Sequence, residues 1–392
     1  MKRHIIPPHF GSTLFFSLVL VGWTAQLNAQ QTKPSPVATA TKAAQPDSPD
    51  EDTVAEKKQK VAFSWLPFPD SARFKVLGLH WFEENKPKLW RMPVGQFETL
   101  PKGVQRQCKL PAGGRILLKS NTTRLGLKVL PLNKGTFKGF DVYVNGSFLR
   151  SAVVEEPDVE VELVLFKDLE QKEKEIVIYL PYHQSVLIKA VGVDEAAKFS
   201  APDHKYAKPL PVVFYGSSVC QGSGGLKPGM SYEAIVCRKL NLDFINLGFG
   251  GAGKAEDNVV ALVNSIPACC YVFDLGKSYG MQDSTAFKKM LQTLRQSHPG
   301  VPLVCLTPIT SALEVHSPGY SNRSLHDRTV MREAANEVIK SGEKGVYLLE
   351  GTDLLGFGDH DGLSRDGVHP TDYGFTLIAN KLLPIVKQSL GL

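Results

Sequence analysis

From Pro209 onward, short apolar runs alternate with stretches of helical periodicity, and that alternation leaves few folds open. Strands read at Val212–Tyr215, Phe244–Leu247, Tyr271–Leu275, Leu303–Leu306 and Val346–Leu349. Helical patterns lie between them at Tyr232–Leu240, Asn258–Ile266, Thr285–Gln296 and Leu325–Lys340. A final amphipathic stretch, Thr371–Leu390, carries Phe375, Ile378, Ala379, Leu382 and Ile385 at helical spacing. Strands joined by helical crossovers pair in parallel, and such a sheet is covered by helices on both faces. The expectation is a three-layer α/β/α domain over residues 209–392, built on a five-stranded parallel sheet.

Residues 61–198 read differently. Val159, Val161, Leu163 and Leu165 alternate with Glu160, Glu162 and Val164, and Arg115–Ser120, Arg124–Leu130, Asp141–Val144 and Glu175–Tyr182 are further short strands. Turn signals such as Asn145-Gly146 punctuate them, with no convincing helix between. This spacing predicts an antiparallel β-sandwich. Trp81, Phe82, Trp90 and Arg91 could line a sugar-binding face, since aromatic planes stack on sugar rings, or could be core and edge residues of the sandwich.

The first 29 residues have the form of an export signal: Lys2-Arg3-His4, an apolar run at Leu14–Val21, and small-residue cleavage chemistry at Leu27-Asn28-Ala29. The run falls short of the roughly 20 residues a membrane span needs, so stable membrane insertion after signal removal is not expected. Residues 30–60 hold almost no large apolar side chains and read as a flexible linker. These features point to a secreted or periplasmic protein. The formal charge of +6 is scattered, without a basic stripe, which gives nucleic-acid binding no support. Six cysteines in 392 residues form neither a disulfide framework nor a zinc pattern, and free buried thiols are expected.

The chemistry gathers at the strand ends. The run Val212–Tyr215 stops at Gly216 and is followed by two hydroxyls, Ser217 and Ser218. A serine there would sit at the carboxyl end of a parallel strand, where ligands bind in open α/β sheets. Far along the chain, Asp366 precedes His369 by three residues, a spacing that sets a carboxylate against one imidazole nitrogen and frees the other for a hydroxyl. The loop Asn246–Gly253 contains four glycines and can bring backbone N–H groups up to a developing oxyanion. Asp274–Ser278 is the other loop placed to reach this edge, and Phe249, Tyr279 and Met281 could shape an acyl pocket or pack in the core. Asp359-His360-Asp361 lacks a second ligand pair and reads as a solvated loop rather than a metal site, and His316 and His326 carry no specific signal.

Taken together, Gly216-Ser217-Ser218 with Gly222, Gly250-Gly251, Gly276-Lys277-Ser278 and Asp366-Gly367-Val368-His369-Pro370 resemble the blocks of SGNH (GDSL-type) serine hydrolases. The resemblance covers about residues 212–392. It is similar to a branch in which a jelly-roll-like sandwich precedes a flavodoxin-like hydrolase domain, as in bidomain carbohydrate O-acetylesterases. It implies Ser218 as nucleophile, His369 as base, Asp366 as its orienter, the N–H groups of Ser218 and Gly251 as oxyanion donors, and no cofactor or metal. Two positions depart from the pattern: Ser217 stands where an Asp is common, and Ser278 where the family supplies an oxyanion Asn. The resemblance implies an acylated carbohydrate or another small ester as substrate, with acetyl the expected acyl group. Lipase-like or aryl-esterase activity, and a carbohydrate-binding protein with a degenerate hydrolase domain, are the alternative readings, the last motivated by Ser278.

Overall fold

The computed structural model describes residues 62–70, 72–136 and 139–392; the export signal and linker expected at residues 1–60 lie outside them. Residues 64–200 contain ten strands: β1 (Ser64–Pro67), β2 (Lys75–Leu77), β3 (Arg115–Ser120), β4 (Leu125–Pro131), β5 (Phe140–Val144), β6 (Ser147–Ala152), β7 (Val161–Phe166), β8 (Lys174–Tyr179), β9 (Val186–Val193) and β10 (Phe199–Ser200). One antiparallel sheet runs β1-β9-β4-β7 and the other β10-β3-β8-β5-β6, with β2 paired to β3. Ile116, Leu118, Leu127, Val129, Val142, Ile176, Ile178, Ile188 and Val191 fill the space between them. Their alternation along the strands is the period-two pattern that closes a sandwich.

Five parallel strands follow: β11 (Val212–Gly216), β12 (Phe244–Gly248), β13 (Cys270–Asp274), β14 (Leu303–Leu306) and β15 (Val346–Leu349), in the order β12-β11-β13-β14-β15. Every residue of β11, β12, β13 and β14 is buried, as a sheet covered on both faces requires. Val213 and Tyr215 enter one core with Val259, Val263 and Leu291. Val212 and Phe214 enter the other with Tyr232, Val236, Phe375 and Ile378. The strand order reverses at β11, so a crevice opens at the carboxyl ends of β11, β12 and β13.

Two expectations need correction. The helix expected at Leu325–Lys340 begins at Pro318, because the Ser317 hydroxyl accepts the Tyr320 N–H at 3.4 Å and proline suits the first helical turn. The sandwich region is not free of helix either. Short helices at Phe82–Asn85 and Lys102–Gln107 flank a loop; Met92 and Leu100 from the loop, with Val104 and Cys108 from the second helix and its cap, pack into a core of the parallel-sheet domain.

The four residues considered for a sugar face have other positions. Phe82 is buried in the sandwich, Trp81 packs on the parallel-sheet core, and the Trp90 and Phe97 rings lie 4.9 Å apart. Arg91 is 1% exposed and donates to the carbonyls of Leu110 (2.6 Å), Gln107 (2.7 Å), Asn246 (3.2 Å) and Gly248 (2.5 Å). Nearby, Arg115 pairs with Asp243 at 2.6 Å and covers the Phe244 ring. Both arginines reach from the first region to β12. All six cysteines are free, and burial pushes the Cys108 thiol up to about 11, away from thiolate chemistry.

Candidate active site

Gly216 ends β11 because nothing larger fits: a Cβ there would stand 2.0 Å from the Asp274 carbonyl oxygen. The chain then turns through Ser217, whose N–H donates to that same carbonyl at 2.8 Å, into a single helical turn, Ser218–Gln221. Ser217 is buried against the loop after β13, while Ser218 stands at the helix start and lines the crevice. The first N–H groups of a helix have no partner within it. Accordingly, the Ser218 N–H makes no hydrogen bond among the described residues.

His369 arrives from the opposite end of the chain. A tight turn, closed by the Gly367 N–H on the Ser364 carbonyl at 2.8 Å, presents Asp366 and His369 on one side. Asp366 Oδ1 accepts the N–H groups of Val368 (2.9 Å) and His369 (3.0 Å) and the Ser364 hydroxyl (2.9 Å). Its Oδ2 lies 2.7 Å from His369 Nδ1, and His369 Nε2 lies 2.8 Å from Ser218 Oγ. Partial burial alone would raise the Asp366 carboxyl. The hydrogen bonds from the His369 ring, the two backbone N–H groups and Ser364 outweigh it and hold the acid far below the usual carboxylate range. Asp366 is therefore an anion with both oxygens committed, and it fixes the imidazole with its other nitrogen toward Ser218.

Pro370 precedes the last helix, and Thr371 is its N-cap, accepting the Gly374 N–H at 3.3 Å. Gly224, with φ +98°, lets its loop pass over this junction, where a Cβ would meet the Pro370 oxygen at 2.3 Å. Asp372 then accepts the Leu226 N–H at 2.9 Å, tying the loop after Ser218 to the helix that follows His369.

The glycine loop after β12 closes another side. Gln221 Oε1 takes the Gly250 N–H at 2.7 Å, and the Gln221 amide donates to Gln107 Oε1 at 2.9 Å. The Gly251 N–H makes no hydrogen bond among the described residues, and Gly251 lines the same cavity as Ser218 and Ser278. Ser278 sits in a 3₁₀ turn, Gly276–Tyr279, beside Lys277, whose Nζ lies 2.9 Å from Glu314 Oε1. Tyr279 and Phe249 are core residues, whereas Met281 is exposed.

The cavity measures about 570 Å³ and is bordered by side chains that the sequence reading did not single out: Thr136, His183, Ser223, Lys254, Tyr320 and Arg323. His183 comes from the loop between β8 and β9, and its Nε2 lies 2.9 Å from Ser223 Oγ. Burial, then the Arg91 charge, push it down to about 3, so it is a neutral imidazole at the cavity wall. His360, from the acidic pair considered for a metal, instead meets the Thr310 hydroxyl at 3.2 Å. Among the described residues no three His, Cys, Asp or Glu side chains are grouped as a metal site.

Beneath the turn that carries Ser218, Asn246 Nδ2 donates to the Cys220 carbonyl at 2.7 Å and to the fully buried Glu233. Burial pushes Glu233 up from 4.5 to about 8, so it is protonated at neutral pH. A carboxyl raised in the folded state gives stability that is fully present below about pH 4.5 and lost as pH rises through about 8. Glu233→Gln is therefore expected to flatten the fall in unfolding free energy between pH 5 and 8 by ~2 kcal/mol or more, read by denaturant titration at both values.

The fold and this site define a class, the α/β hydrolytic domains that carry a Ser–His–Asp arrangement at a sheet edge. Residues 209–387 match the model of the GDSL-like lipase/acylhydrolase family, and residues 63–199 match the N-terminal region of SGNH-hydrolase-type esterases. The chain belongs to the SGNH (GDSL-type) hydrolases with this N-terminal sandwich. Among solved structures it is similar to a protein described as a GDSL-like lipase from Bacteroides ovatus, with TM-score 0.73, 23% identity, and 84% of this chain and 98% of that one covered. A salicylyl-acyltransferase from a tetracycline biosynthetic pathway follows, with TM-score 0.72, 20% identity and coverage of 84% and 98%. A family two carbohydrate esterase from Clostridium thermocellum, solved with cellohexaose, gives TM-score 0.54, 18% identity and coverage of 71% and 93%. No curated protein matches.

Proposed function

We propose that this chain is a serine esterase that removes small acyl groups, acetyl foremost, from a carbohydrate through an acyl-enzyme. The observation that carries the reading is the relay from Ser218 Oγ to His369 Nε2 (2.8 Å) and from His369 Nδ1 to Asp366 (2.7 Å). His369 takes the Ser218 proton as Oγ attacks the ester carbonyl. The negative charge that develops on the carbonyl oxygen is received by the N–H groups of Ser218 and Gly251. Collapse expels the sugar hydroxyl with the proton held on His369. A water, deprotonated by the same imidazole, then attacks the acyl-enzyme and frees the acid and Ser218.

The carbohydrate part is supported by the export-signal pattern, the cavity's hydroxyl and charged border, and a fold shared with carbohydrate esterases. Its size falls in the usual range for small-molecule sites. A fluorophosphonate probe tests the nucleophile, and acetate release from acetylated polysaccharides set against hydrolysis of long-chain esters tests the substrate. Labelling that survives in Ser218→Ala, or absence of labelling, rejects the mechanism. A second reading, esters of longer or aromatic acids, is favoured by Met281, which is 66% exposed and follows Gly280 of the cavity wall. A preference for long-chain esters in the same assay selects it.

Ser278 decides how complete the oxyanion site is. Its hydroxyl is shorter than the amide that the family places there. A missing donor costs about 10²–10³ in rate, so Ser278→Asn is expected to raise turnover and Ser278→Ala to lower it. Identical turnover numbers for the three proteins would remove this side chain from the oxyanion site.

A further inference from the structure

The cavity over Ser218 is bordered by cations from three separate elements. Lys254 comes from the loop after β12, Lys277 from the turn after β13, and Arg323 from the helix that begins at Pro318. Lys277 is paired with Glu314, but that carboxylate also accepts two hydrogen bonds from the buried Arg328 guanidinium, at 2.8 and 2.9 Å. Two cations thus share Glu314, and the other carboxyl that feels their charge, the buried Asp327, is pushed by burial up to about 7. Lys254 and Arg323 are both exposed, and neither makes an ion pair among the described residues.

The acids at the same cavity do not cancel this excess. Asp366 is turned to His369 and committed on both oxygens, and Asp274 is buried beneath the loops with its Oδ2 accepting from Tyr232 at 3.1 Å. Glu256 and Asp327 feel the charges of Lys254 and Arg323 but form no ion pair with them among the described residues, and burial raises both carboxyls. The open rim therefore keeps exposed positive charge on two of its elements. A cleft bordered by one sign of charge concentrates ligands of the other sign. Guanidinium and ammonium groups left without partners at a polar rim suit a carboxylate or a sulfate.

We infer that the natural substrate is an ester of an acidic sugar, whose carboxylate or sulfate is received at the rim by Lys254 and Arg323 while the acyl group lies over Ser218. The inference rests on the esterase reading of the site, but it can fail separately. The Ser218→Ala protein is titrated calorimetrically with a uronic-acid oligosaccharide, a sulfated oligosaccharide and a neutral xylo-oligosaccharide. Titrations run at about 0.01 M and about 1 M ionic strength, where the Debye length is about 30 and 3 Å. At low salt, one of the acidic ligands is expected to bind about tenfold more tightly than the neutral one, or ~1.4 kcal/mol, with the preference lost at high salt. Which acidic ligand shows it separates carboxylate from sulfate. Adding Lys254→Gln and Arg323→Gln is expected to abolish the preference. Equal binding of acidic and neutral ligands at low salt, or a preference unchanged by the double substitution, overturns the inference. The esterase reading is judged apart from this, by acetate release from acetylated sugars with the parent protein.

Discussion

Ser218→Ala is expected to lower turnover of an acetyl ester by about 10⁴-fold or more while leaving the unfolding midpoint almost unchanged. The size follows from what the substitution removes. In the proposed mechanism no covalent intermediate forms without Oγ, and His369 and Asp366 have no nucleophile to activate, so the three act as one unit. What remains is substrate binding and the N–H groups of Ser218 and Gly251, which survive because they belong to the backbone. Fold should be spared for a structural reason. The side chain faces the cavity, and the packing of this turn is made by Gly216, Ser217 and Cys220. Initial rates and thermal unfolding on the same preparation check both halves. A loss of less than about tenfold would assign the chemistry to another group. In the companion variant Asp366→Asn, imidazole orientation is lost but the nucleophile stays, and a fall of about 10⁴ is expected there too.

The parallel sheet was legible because its strands are uninterrupted apolar runs, and burial on both faces leaves no room for alternation. The Ser218 and His369 segments were legible because each is a local pattern: a glycine that stops a strand, and an acid three residues before a histidine. The rest of the cavity wall had no such signature. His183 comes from a sandwich loop, Lys254 and Arg323 from solvent-facing positions, and tertiary packing alone brings them to one place. The early turns of the helix from Pro318 were hidden because Pro, Gly, Ser and Asn there resemble a loop until the Ser317 cap is seen. β6 (Ser147–Ala152) is an exposed edge strand without strong alternation, whereas β9 (Val186–Val193) carried an apolar pattern that could have been used.

Arg91 gives the largest expected effect on stability, and it ties the first region to the site. Its guanidinium is fully buried and donates to backbone carbonyls on both sides of a junction: Gln107 and Leu110 in the first region, Asn246 and Gly248 at the end of β12. Burial lowers it to about 10, still charged at neutral pH, and its face covers the Phe249 ring at 4.8 Å. Arg91→Met keeps much of the volume but strips four carbonyls of a donor in a place water does not reach. Each unpaired buried group costs about 1–3 kcal/mol, with the losses less than additive, so a destabilisation of about 3–5 kcal/mol is expected. The carbonyl of Gly248 leads directly into Phe249–Gly251, so the loosened loop should also lose its hold on Gly251, the proposed oxyanion donor. The measurable signature is a fall in kcat exceeding any rise in KM, because a donor aimed at the developing charge acts in the transition state more than in the ground state. Arg91→Lys restores the charge but not the fork, and is expected to recover only part of either loss. A variant that unfolds at the parent's denaturant midpoint would show that the junction is held by its apolar contacts alone.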